Sequence, residues 1–132
     1  MASTFELELA TPERLLVKEQ VSEAQIPGAN GELGILPGHA ALLSELGIGL
    51  LRYVVNGQKH AVTVAGGIVQ VLPDHVRVLA LVAERPNEID AARAREAEKR
   101  AMQRLSSVKD NVDYARALNA LQKAQARLAA TK

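Results

Sequence analysis

Cysteine is absent from the 132 residues, which excludes a disulfide framework and any thiolate metal site and leaves packing to hold the chain together. The absence fits a reducing compartment. Tryptophan is also missing and aromatics make up only 2% of the chain. No apolar run approaches the roughly 18 residues of a spanning helix. Met1-Ala2-Ser3-Thr4 leads directly into alternating residues, with no basic or apolar leader pattern. Membrane association is therefore expected only through a partner. The three histidines, His39, His60 and His75, lack metal-binding spacing, so no metal site is expected.

A net charge of one sign is missing only in sum. Residues 1–87 carry 6 Lys+Arg against 9 Asp+Glu, and residues 88–132 carry 10 against 6, so an overall +1 conceals −3 followed by +4. Nucleic acid would have to be met by the basic end alone, which offers one aromatic, Tyr114, and no recognition motif; no nucleic-acid partner is expected. The 48% hydrophobic and 23% charged content is that of a folded globular chain.

Two structural grammars meet near Pro86. Phe5-Glu6-Leu7-Glu8-Leu9 alternates strictly, Leu15 to Val21 is a second extended segment, and Thr11-Pro12-Glu13 is a turn between them. Asn56-Gly57 is a strong hairpin signal, since both residues accept positive φ, and Pro73-Asp74 marks another. Gly66-Gly67 has no lysine at phosphate-loop spacing and reads as a bulge or a close backbone approach. Many short strands without intervening helices predict an antiparallel β-sandwich or barrel over residues 1–87.

Residues 88–132 predict an antiparallel two-helix hairpin, so the fold class is α+β. Asn87 is the expected cap of a first helix running to about Leu105, and a second is expected from near Asn111 to about Ala130. Ala94, Ala97 and Ala101 form one inner stripe, and Ala117, Ala120 and Ala124 the other. Antiparallel register sets Ala97 opposite Ala120 and Asp90 opposite Arg127. Arg93, Lys123 and Arg127 then gather with Asp90 at the open end, with Glu84 close by. The cluster is either a salt-bridge latch or a phosphate site in which Arg93 and Arg127 supply guanidinium donors. Large apolar side chains are few in the hairpin. At roughly 2 kcal/mol each, their burial falls short of the roughly 1–2 kcal/mol per residue that ordering its backbone costs. Its placement should depend on neighbours, with docked and extended positions close in free energy.

Gly31-Glu32-Leu33-Gly34-Ile35-Leu36-Pro37-Gly38-His39 resembles the signature of the epsilon-subunit family of F-type rotary ATP synthases. The resemblance extends through Thr11-Pro12, Gly66-Gly67, Pro73-Asp74, Ala83-Glu84-Arg85, Ile89-Asp90-Ala91-Ala92-Arg93-Ala94 and Val112-Asp113-Tyr114. It implies a sandwich of about ten strands that grips the central-stalk gamma subunit and touches the membrane c-subunit ring, the loop with Glu32 and His39 facing both. It also implies a regulatory hairpin that extends toward the alpha and beta subunits. Arg95, Lys99, Arg100, Arg104, Lys109 and Arg116 are the candidates for its inhibitory contact with an acidic segment of the catalytic subunit. In members that bind ATP, residues matching Glu84, Asp90, Arg93 and Arg127 hold the folded-down state. Lys123 stands where such members have an arginine, removing bidentate phosphate recognition there.

The reading is a non-catalytic rotor subunit that couples proton-driven rotation to ATP synthesis and inhibits ATP hydrolysis through mobile C-terminal helices. No cofactor is required, and ATP is a regulatory ligand. The location implied is peripheral, on the cytoplasmic face of a bacterial inner membrane or on the stromal face of a chloroplast thylakoid. A free-standing β-sandwich adaptor, whose basic hairpin binds an acidic protein, is the alternative; a small metal enzyme built on the histidines is a third reading.

Overall fold

The computed structural model describes residues 3–106 and 113–131. Seven strands come first: β1 (Phe5–Ala10), β2 (Leu15–Val21), β3 (Glu23–Gly28), β4 (Gly31–Ile35), β5 (Leu42–Val55), β6 (Gln58–Val71) and β7 (His75–Glu84). A 3-10 turn (Pro86–Glu88) leads into helices α1 (Ala91–Ser106) and α2 (Tyr114–Ala130). The strands form one sheet ordered β2-β1-β7-β6-β5-β3-β4, which folds over so that all seven contribute to a single core.

Alternation places Phe5, Leu7 and Leu9 fully inside while Glu6 and Glu8 face outward. Asn56 at φ 49 and Gly57 at φ 80 make the tight β5–β6 turn, where positive φ is required at both positions. Leu72 and His75 exchange backbone hydrogen bonds across Pro73-Asp74, closing the β6–β7 hairpin. One pair departs from the antiparallel expectation: β1 runs parallel to β7, Glu6 opposite His75 and Ala10 opposite Leu79. The segment from β2 through β6 supplies the long crossover that a parallel pair requires.

The strand count is seven where the resemblance implies ten, and the three long strands each change their inward face along their length. In β6 the core-facing residues are Val62 and Val64 before Gly66-Gly67, and Val69 and Val71 after, so the inward face changes parity there. β5 changes between Leu46 and Leu51, and β7 between Ala80 and Ala83. The three changes fall on one row across the sheet, at Gly47, Gly66 and Leu81, and the pairing register is the same on either side of it. The Gly-Gly pair is therefore not a bulge. It is a close approach: Gly67 has φ 132, and a Cβ there would lie 2.0 Å from the carbonyl oxygen of Leu79. β5, β6 and β7 cross this row unbroken, each as one continuous strand.

Val62, Thr63 and Val64 are buried in succession, because the core covers one face of β6 and α2 the other. α2 packs on β5 and β6, and α1 packs on α2. Ala91, Arg95 and Glu98, early in α1, share a groove with Gln125, Leu128 and Ala129, late in α2, as antiparallel helices require. Ala94, Ala101, Ala117 and Ala124 are buried, and Ala97 and Ala120 half-buried, at the alanine stripes.

The cap of α1 is Asp90, not Asn87. Asp90 Oδ1 accepts from the Arg93 amide at 3.1 Å, and its carbonyl accepts from the Ala94 amide at 3.0 Å. The cause is Pro86, which starts a separate turn through Asn87 and leaves the next short polar side chain to cap the helix. α2 is capped by Asp113, whose Oδ1 accepts from the Arg116 amide at 3.0 Å. The expected start near Asn111 lies outside the described residues.

Candidate functional site

The end of β7 meets the last two turns of α2 at a small cavity of about 70 Å³, lined by Thr63, Val64, Ala65, Val82, Glu84, Lys123, Ala126 and Arg127. Ala126 and Ala130 are buried on α2, small enough to bring the helix backbone close to the sheet. Arg127 Nε donates to Glu84 Oε1 at 2.7 Å, and the Thr63 hydroxyl donates to the Glu84 carbonyl at 3.2 Å. The ion pair is half-buried, at 36% and 27% side-chain exposure, where charge-assisted contacts outweigh those of open surface.

This geometry alters the latch expected from sequence. Arg127 meets Glu84 rather than Asp90, whose carboxylate is engaged at its own helix start. The contact thus fastens the hairpin to the sheet instead of closing the seam between the helices. Of the five nucleotide-site candidates, Glu84, Lys123 and Arg127 line one cavity; Asp90 and Arg93 do not line it, and the Arg93 side chain is exposed. The enclosed volume is far below the roughly 300 Å³ at which small-molecule pockets begin, so a nucleotide would have to lie across its mouth.

Glu32 and His39 have separate supports. Glu32 lies 3.7 Å from Arg52 of β5. His39 Nδ1 is 2.8 Å from the Ala40 carbonyl, in a loop tied to the β6–β7 hairpin by the Gly38 amide donating to the Pro73 carbonyl at 2.8 Å. Arg95, Lys99, Arg100, Arg104 and Arg116 are exposed and enter no ion pair among the described residues. Lys109 lies outside the described residues.

The histidines occupy three settings. His60 stacks on Tyr53 at 5.2 Å between ring centroids, and burial pushes the Tyr53 hydroxyl pKa up. Glu6, Glu8 and His75 come within 4.8 Å of one another on the β1–β7 pair. Arg77 Nε stands 3.5 Å from the same Glu8 oxygen that His75 approaches, so a cation is already supplied there.

Sequence reasoning missed the densest polar contact among the described residues. Arg14 Nη1 donates to Glu88 Oε2 at 2.6 Å and Nη2 donates to Oε1 at 2.8 Å, a bidentate pair joining the β1–β2 turn to the 3-10 turn. Its guanidinium, with the Arg85 amide, pulls the Glu88 pKa down to about 2. No periodicity signals a contact between turns 74 residues apart.

Both modules match models of a known family. Residues 4–86 match the beta-sandwich domain of the ATP synthase Delta/Epsilon chain, and residues 87–132 match its long alpha-helix domain. This chain belongs to the ATP synthase delta/epsilon chain family. It is 56% identical over 129 residues to the ATP synthase epsilon chain of Solibacter usitatus, covering 98% of this chain and 96% of that one. Against the ATP synthase epsilon chain of Desulfitobacterium hafniense (strain Y51) the identity is 42%, covering 100% and 99%. A chain in the structure of the Euglena gracilis mitochondrial ATP synthase, OSCP/F1/c-ring in rotational state 1, superposes with a TM-score of 0.85 at 24% identity. That match covers 100% of this chain and 84% of the other, and shows the shared fold.

Proposed function

We propose that the chain is the non-catalytic epsilon subunit of a rotary ATP synthase, a central-stalk component that couples proton-driven rotation to ATP synthesis and restrains ATP hydrolysis through its hairpin. The observation that carries this is the match of both modules, in order and over nearly the full chain, to one family of ATP synthase subunits. The free-standing adaptor and the histidine metal enzyme find no support beside that match.

The geometry supplies the parts such a subunit needs. Leu43, Ile68, Leu79 and Leu81 leave an apolar strip on the outer face of β5, β6 and β7, with Leu43 71% exposed, a surface suited to gripping the gamma subunit. The loop with His39 and the edge with Glu32 are offered to the stalk and the c-subunit ring. Attachment is peripheral, through the complex, on the cytoplasmic face in a bacterium; among the described residues no helix is long and apolar enough to cross a membrane.

The hairpin is docked on the sheet, with Arg95, Lys99, Arg100, Arg104 and Arg116 exposed. Extension would carry Arg95, Lys99, Arg100, Arg104, Lys109 and Arg116 to an acidic surface of a beta subunit, where complementary charge favours the contact. ATP opposes extension as a regulatory ligand: its phosphates take Arg127, Lys123 and Arg93 at the mouth of the Glu84 cavity, with Asp90 fixing the start of α1. Titration of the full chain with ATP tests this part, and unchanged binding in both Arg93→Ala and Arg127→Ala would remove the site. For the brake, ATP hydrolysis by the reconstituted complex is measured with and without residues 88–132. Release of activity on truncation is expected; equal rates would leave the coupling role alone.

A further inference from the structure

The segment joining the two modules contains two hydrogen-bond systems with a gap between them. The upstream system belongs to the sheet. Arg14 reaches from the β1–β2 turn to both Glu88 oxygens and also donates to the Ala83 carbonyl at 3.4 Å. Arg85 Nη2 donates to the Leu16 carbonyl at 2.9 Å, and the Arg85 amide donates to Glu88 Oε1 at 2.8 Å. The Glu88 and Ile89 amides close the turn onto the carbonyls of Arg85 and Pro86. The downstream system starts at Asp90, whose side chain and carbonyl receive the Arg93 and Ala94 amides. Among the described residues no hydrogen bond joins the turn to α1, and Ile89 between them is extended, at φ −97 and ψ 129.

We propose that the Pro86–Glu88 turn is mechanically part of the β body, bolted there by Arg14, and that the hairpin pivots one step later, at Ile89–Asp90. This rests on the mobile-hairpin reading above and adds where the motion is located and which residue fixes it. Moving the hairpin about any point before Glu88 breaks a bidentate guanidinium–carboxylate pair together with the bonds of the turn. Moving it about Ile89–Asp90 breaks none of these and turns only backbone dihedrals. Among the described residues the hairpin is also restrained by the Glu84–Arg127 pair and by the alanine contact of α2 with the sheet.

The pivot divides the candidate nucleotide residues. Glu84 stays with the body, while Asp90, Arg93, Lys123 and Arg127 travel. A polyphosphate held by the travelling cations at the mouth of the Glu84 cavity therefore fixes the angle at Ile89–Asp90.

Site-resolved amide hydrogen exchange on the full chain tests the proposal without any partner. The Glu88 and Ile89 amides are expected to exchange with the slow β7 set, about tenfold or more slower than the Ala94 amide in the first turn of α1. Arg14→Ala or Glu88→Gln should bring the Glu88 amide to the α1 rate and leave β7 unchanged, with Arg14→Lys intermediate, because lysine cannot form the fork. If Glu88 and Ala94 exchange together, faster than β7, the pivot lies upstream and the proposal fails alone. If all three exchange at one rate, no pivot exists and the mobile-hairpin reading fails with it. Unchanged Glu88 exchange in both Arg14→Ala and Glu88→Gln would remove Arg14 as the bolt.

Discussion

The β body and the helical hairpin are held by side chains of different size. In the body Phe5, Leu7, Leu9, Ile26, Ile35, Leu51 and a set of valines are closed off from solvent on two faces of a folded sheet. Each contributes about 1.5–3 kcal/mol of burial. In the hairpin every buried side chain among the described residues is alanine: Ala94, Ala101, Ala117, Ala124, Ala126 and Ala130. An alanine methyl is worth about 0.8 kcal/mol. Among its larger apolar residues, Met102 and Leu118 stay about half exposed, and Leu105, Leu121 and Leu128 are only partly covered. A body that must stay gripped to a rotating partner and an arm that must leave its seat need different strengths, and residue size sets them.

The contrast can be broken most severely in the body. Leu51→Ala removes a fully buried side chain between the layers and should cost about 2–5 kcal/mol, read as an earlier midpoint in chemical denaturation of the whole chain. Ala124→Leu forces a large side chain into the seam where α1 meets α2. It should cost about 1–3 kcal/mol, confined to the hairpin: faster exchange and proteolysis within residues 91–131, with the body midpoint unchanged. Arg127→Ala removes the one ion pair between α2 and the sheet among the described residues and should loosen docking by about 1 kcal/mol, seen as faster α2 exchange. The smallest effect is one of pH. Glu88 is held at about 2 against an ordinary 4.5, so its ion pair stabilises the turn fully above pH 4.5 and is lost as pH falls toward 2. Acid titration should loosen the Glu88 amide only in that window, and Arg14→Ala should abolish the step.

The same contrast governed what could be read from sequence. Alternation around Phe5–Leu9 and the Asn56-Gly57 and Pro73-Asp74 signals located strands and turns, because those patterns are local and strand period and turn chemistry impose them directly. The parallel β1–β7 pair and the face change at Gly47, Gly66 and Leu81 were not legible, since each depends on strands brought together from distant parts of the chain. At the candidate site, the sequence brings Glu84, Asp90 and Arg127 to one end of the hairpin, and the structure pairs Arg127 with Glu84. Helical spacing put Asp90 level with Arg127, and only the structure shows the Asp90 carboxylate spent on capping. Arg14, beside the Thr11-Pro12-Glu13 turn, carries no local signal of its partner Glu88.

Because the chain contains no cysteine, a lock can be placed where the hairpin leaves the sheet. Glu84→Cys and Arg127→Cys are introduced together, joined with a short bis-maleimide, and ATP hydrolysis by the reconstituted complex is compared before and after joining. A hairpin that inhibits by leaving its seat predicts higher hydrolysis once it is tethered there. Hydrolysis unchanged by a completed tether would show that the docked and working positions of the helices are the same, and would contradict the account.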